Sequence, residues 1–300
     1  MKRTALIALT LTVGLLSQSP VPVEGPAPSS APDGAPKADP VDAIVATMRT
    51  AEAQLTSLRL VMTTRGELPG ELTVTTRGTL HVLRGTQPCS HMAIEYAFGD
   101  GVRGRAESAA TAEGIVLYED DPAFGEAYLH IDSTLVADLQ WAGEVLQRAD
   151  LPGMADGRAQ APLGSGMLAE LRRHFDLAID NRRERNGEAG RWIVGARKPG
   201  LDIQDPDLPV ADRVEVFVRD QDHALLELVE WQGKQIVQHL IVEQLQLGVE
   251  LPAKTFLVDG RGQKRREVTD YAPLWEQIEQ AVKQAESKSA DGVVRPSRRR

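Results

Sequence analysis

Apolar and polar positions alternate with a period of two along most of this chain and fall at helical spacing in only a few stretches, which predicts a mainly β protein. The clearest stretch is 213–258. In RVEVFVR, Val214, Val216 and Val218 share one face and Arg213, Glu215 and Arg219 the other, with Phe217 the single apolar breach of the polar side. LLELVEW is apolar on both faces, with Leu226 and Leu228 on one and Leu225, Val229 and Trp231 on the other, so a strand covered on both sides is expected. The turn Gln232-Gly233-Lys234 is short enough to force an adjacent antiparallel return through IVQHLIVEQLQL. Pro252 ends the pairing, and KTFLV is expected as a short last strand with Phe256 and Val258 on one face.

The earlier chain reads as the other half of the same sheet. A strand over 58–64 turns through Leu68-Pro69-Gly70 into a second over 72–83, where Leu72, Val74, Leu80 and Val82 share a face. A third runs over 91–98, with Met92, Ile94, Tyr96 and Phe98 alternating against polar and small residues. A symmetrical loop between these two sets Leu80 against Met92, Val74 against Phe98 and Arg77 against Glu95, matching apolar to apolar and base to acid. Shorter strands are expected over 113–119 and 127–131, and a hairpin over 175–179 and 191–194. Helices are expected from Asp42 as cap to about 57, from Ser133 as cap to about 147, from Met167, and from Pro273. The Gly-, Pro-, Ala- and Met-rich run 151–166 is expected as a loop over a pocket mouth.

The fold class that follows is α+β, mainly β: a strongly bent antiparallel sheet, an incomplete β-barrel, with helices covering its concave face. Its 300 residues, 42% of them hydrophobic, suffice for a large core, and a net charge of −9 argues against nucleic acid as a partner. Lys2-Arg3 followed by the apolar run 5–16 reads as a signal peptide over 1–19, with the cleavage site open as far as residue 25. A Pro/Ala-rich linker over 20–40, a folded domain over 41–272, a helix over 273–288 and a basic tail over 289–300 complete the expected organisation. Cys89 is the only cysteine, so no internal disulfide forms.

Catalytic signatures are weak. Gly164-Ser165-Gly166 lacks the strand-to-helix setting of a nucleophile elbow, Gly99-Asp100-Gly101 lacks the Lys of a phosphate loop, and Asp120-Asp121 reads as a surface turn. His81 and His91 should face each other across a hairpin near Cys89, a conceivable metal pair that more often is simply solvated. His239 reads as a sheet residue. No cofactor is called for.

The order of the last strands, ending in Leu251-Pro252-Ala253-Lys254-Thr255-Phe256, resembles the C-terminal half of the LolA-type outer-membrane lipoprotein carriers. The hairpin with Gly78-Thr79-Leu80, Pro88 and Met92-Ala93-Ile94-Glu95-Tyr96 is similar to that family's N-terminal half, although Ala93 stands where the carriers have an arginine associated with lid closure and cargo release. The resemblance implies a LolA-like lipid-binding domain over 41–272 in a monomeric, exported, periplasmic, non-enzymatic carrier or chaperone. Its partners would be an acylated lipoprotein or lipid and the inner- and outer-membrane lipoprotein-sorting components. The expected lipid-binding residues are Leu72, Val74, Met92, Ile94, Tyr96, Leu226, Leu228 and Trp231. Two alternatives stand beside it: the same fold as a periplasmic sensor or regulator that binds lipid or a protein segment, and a secreted enzyme with a site assembled from distant residues.

Overall fold

The computed structural model describes residues 39–68, 72–99, 101–122, 125–137, 163–199 and 210–268. The expected signal peptide, the linker up to residue 38, the Pro69-Gly70 turn, most of the loop 151–166, and the segments 273–288 and 289–300 lie outside the described residues.

Among the described residues, thirteen strands form one sheet: β1 (Ser57–Leu68), β2 (Leu72–Leu83), β3 (Cys89–Phe98), β4 (Val102–Thr111), β5 (Gly114–Asp121), β6 (Gly125–Asp132), β7 (Phe175–Ile179), β8 (Glu184–Arg185), β9 (Glu188–Arg197), β10 (Arg213–Arg219), β11 (Leu225–Gln232), β12 (Gln235–Leu247) and β13 (Arg266–Glu267). Their order is β13-β6-β5-β4-β3-β2-β1-β12-β11-β10-β9-β7, with β8 paired to β9 alone. The sheet is large and bent and does not close into a barrel. Every pairing is antiparallel except that of β13 with β6.

Short turns make most neighbours, because a two-residue connection leaves an apolar strand nowhere to go but back along its predecessor. Gly233, at positive φ, makes such a turn between Gln232 and Gln235. The hairpin of β2 and β3 has the register expected from the sequence, with Leu80 opposite Met92, Val74 opposite Phe98 and Arg77 opposite Glu95. The two halves of the sheet are joined by β12 lying along β1, Leu58 against Leu247.

Two of the helices among the described residues pack on the half of the sheet that holds β9 to β12, on the face here called inner. The first, α1 (Pro40–Gln54), is capped by Asp39, whose side chain accepts from the Val41 amide at 2.8 Å, and not by Asp42 as expected. Pro40 suits the first turn because its missing N–H would be unpaired there anyway. The second, α2 (Ser165–His174), starts two residues before the expected Met167. Val41, Ile44, Val45 and Met48 of α1 and Leu168 and Leu171 of α2 form one buried cluster with Val214, Val216, Leu228 and Leu240 of the sheet. Arg172 of α2 pairs with Asp39 and Asp42, tying the two helices together. Residues 133–137 are also helical, and their cap is Asp132, which accepts from the Thr134 and Leu135 amides, not Ser133.

Four further expectations are corrected. KTFLV is not a strand: Ala253–Phe256 is a 3-10 turn, and only Phe256 of it is buried, since Pro252 has already ended the ladder. The strand β4 was not anticipated, because after Val102 its inner side carries Gly104, Ala106, Ser108 and Ala110, too small to show an apolar alternation. Expected 191–194 is the ten-residue β9, and β1 runs to Leu68. Phe217 is not a breach of a wet face, for it is fully buried with its ring 5.3 Å from that of Trp192.

Candidate functional site

The inner face is built by register. Opposite Leu58 stand Val82 on β2 and Leu247 on β12; opposite Leu60 stand Leu80 and Leu245; opposite Met62 stand Gly78 and Val242. The rows continue through β3 as Ser90, Met92 and Ile94, and through β5 as Ile115, Leu117 and Glu119. Leu58, Leu60, Leu80, Val82 and Met92 make a buried cluster to which Met62 and Ile94 add, and every side chain in it comes from a strand. The helices α1 and α2 pack instead on the other half, over β7 and β9 to β12.

One end of the inner face is polar. Tyr96 lies over Gly104, its cross-strand partner, and donates a 2.7 Å hydrogen bond to Asp121. Burial and the neighbouring carboxylates hold the phenol protonated far beyond the ordinary tyrosine range, and burial together with Asp121 raises the Glu119 carboxyl. A buried acidic end therefore bounds the apolar rows.

The outer face is different. There the row through Val61, Thr79 and Ala93 is flanked on one side by Arg59 and on the other by Arg77, Glu95 and Arg105. These residues and Gln244 line a groove of about 330 Å³. Arg77 pairs with Glu243 at 2.9 Å, and Arg105 with Glu107 at 2.6 Å. Glu107 is buried and also bonds His91 Nε2 at 2.9 Å. The segment after β12 crosses this face, with Tyr128 bonding the Val258 carbonyl and Arg261 above the ring of Tyr118.

The structure brings most of the expected lipid-binding residues together. Val74, Met92, Ile94 and Tyr96 share the inner face of β2 and β3, and Leu228 shares the helix-covered inner face of β11. Leu226 sits at the bulge opposite Phe217 and Val218 and packs with Leu163, Phe217 and Ala224. Leu72 pairs with Leu68 at the end of β2. Trp231 stands apart on the outer face, with the Arg213 guanidinium 4.7 Å from its ring centre. Ala93 likewise faces the outer groove, where a charge could not hold anything against the inner face. The rings of His81 and His91 do face each other, 5.8 Å apart, but among the described residues no group of three His, Cys, Asp or Glu side chains is placed to hold a metal. Sequence reasoning missed the outer groove, whose lining comes from five strands; the one available signal was the register that set Arg77 beside Glu95.

No family model and no curated protein matches this chain. Similar solved structures include MucB, at 12% identity and a TM-score of 0.40 over 73% of this chain and 62% of that one. They also include an uncharacterized conserved protein from Thermus thermophilus, at 11% identity and a TM-score of 0.38 over 75% and 98% of the two chains. A third is a LolA superfamily protein from Nitrosomonas europaea, at 10% identity and a TM-score of 0.26 over 73% and 97%. The chain thus spans less than two thirds of the length of MucB.

Proposed function

We propose that this chain is a non-catalytic periplasmic carrier or chaperone that holds the acyl chains of lipoproteins, or a similar lipid, against the inner face of its bent sheet. The observation that supports this reading most directly is the strand-only apolar cluster of Leu58, Leu60, Leu80, Val82 and Met92, extended by Met62 and Ile94. An acyl chain is matched by such a surface because each buried methylene contributes roughly 0.8 kcal/mol and needs no directional partner. The residues are closed to solvent at 1–7% exposure, so loading requires this face to open. The acidic end at Tyr96, Asp121 and Glu119 disfavours a second anion and leaves the polar part of the cargo outside.

The test is mass spectrometry of the gently purified protein, followed by titration of delipidated protein with a fluorescent lipopeptide. Retention of an apolar molecule and saturable lipopeptide uptake are expected, with uptake lost in Ile94→Gln. Failure to take up any acyl chain overturns the reading. Binding of an unacylated protein segment in its place identifies the sensor or regulator.

A further inference from the structure

The outer groove carries two opposite charges that no other described residue engages. Arg77 and Arg105 both stand directly opposite Glu95 in register, yet their guanidiniums turn to Glu243 and Glu107. Glu95 makes no ion pair or hydrogen bond among the described residues. Arg59 is in the same position: among the described residues no carboxylate engages it, and its charge weighs against protonation of His81. Both side chains are exposed.

Between them lies a floor of short side chains, Val61, Thr79 and Ala93. Arg59 is one row to one side of that floor on β1, and Glu95 is one row to the other on β3. Two strand spacings and four residues of rise put their Cα atoms roughly 16 Å apart, so the two charges stand at opposite ends of the groove. A guanidinium forks two N–H donors toward an oxyanion, a carboxylate accepts from an ammonium, and the Thr79 hydroxyl on the floor adds a donor between them.

We infer that the groove binds a small zwitterion, with an oxyanion held by Arg59 and an ammonium held by Glu95. The chemistry is that of an amino-alkyl phosphate, whether free or as the headgroup of an ethanolamine phospholipid. A purely anionic ligand is a poorer match, because Glu95, Glu107 and Glu243 balance the three arginines of the lining and its surroundings. The site lies on the sheet face opposite the apolar rows, so it stands or falls separately from acyl-chain binding.

Calorimetry at low ionic strength with phosphoethanolamine tests the inference. Saturable binding is expected, at least about tenfold tighter than that of glycerol 3-phosphate, which lacks the ammonium, or of ethanolamine, which lacks the oxyanion. Arg59→Gln and Glu95→Gln should each weaken it about tenfold, and Ala93→Leu, which fills the floor, should abolish it. Because all three side chains point outward, thermal melts and lipopeptide uptake should match those of the unsubstituted protein. Co-sedimentation with vesicles of phosphatidylethanolamine but not phosphatidylcholine assigns the ligand to a lipid headgroup; binding of free phosphoethanolamine alone assigns it to a soluble one. No binding of phosphoethanolamine in either form, or binding indifferent to Arg59→Gln and Glu95→Gln, overturns the inference.

Discussion

The ring of Tyr96 lies directly on the backbone of Gly104, its partner on the adjacent strand, so closely that a β-carbon on residue 104 would fall 2.3 Å from the phenol. Glycine is needed there for room, not for backbone freedom. Gly104→Ala therefore has to push the ring away and break its hydrogen bond to Asp121. A loss of about 1–3 kcal/mol is expected in thermal or urea unfolding, and Gly104→Ala combined with Tyr96→Ala should recover part of it.

Glu52 closes the C-terminal end of α1 onto the turn before α2. Its carboxylate accepts from the Leu163 and Ser165 amides, both at 3.1 Å, and from the Ser165 hydroxyl. Glu52→Ala leaves two buried amides without an acceptor and should cost about 1–3 kcal/mol in urea unfolding. Burial raises the carboxyl from its ordinary value of 4.5, against the pull of those hydrogen bonds. An acid raised in the folded state contributes stability that is lost as the pH climbs past its ordinary value. Glu52→Gln keeps an acceptor and removes the charge, so it should be close to neutral and flatten that loss.

Glu107 behaves in the opposite sense. Burial works against its ionisation, but the hydrogen bond and charge of His91 and the guanidinium of Arg105 outweigh that and hold its carboxyl below 4.5. Its contribution is present above the ordinary glutamate value and is lost as the pH falls through the depressed one. In Glu107→Gln the decline of stability below pH 4.5 should be shallower than in the unsubstituted protein, measured by urea midpoints across an acid series.

The two sides of the sheet separate the expected lipid-binding residues by outcome. Ile94→Gln, on the inner face, should abolish lipopeptide uptake. Trp231→Ala, on the outer face beneath Arg213, should leave uptake within about twofold. Equal loss in both variants would show that uptake does not discriminate between the faces, and would count against an inner-face site.

The sequence by itself determined the strands whose two sides differ in chemistry. Val214, Val216 and Val218 alternate with charged residues, and Leu80 with Thr79 and His81, so the pleat fixes both their existence and their facing. It also determined the register of β2 against β3, since one loop geometry satisfied every apolar and charged pair at once. Where the inner side is glycine, alanine and serine, as in β4, no such pattern exists, and only pairing to β3 and β5 creates the strand. Helix caps were misread by one to three residues because Asp39 and Asp42, or Asp132 and Ser133, are alike suited to cap a helix until the backbone direction is known. Tertiary structure alone decided which carboxylate each arginine takes, and so which charges remain unengaged among the described residues. Arg77 could reach Glu95 or Glu243, and the bulge on β12 between the partners of Val61 and Met62 brings Glu243 to it. A groove lined from five strands depends on the order in which they lie side by side, which a one-dimensional pattern does not contain.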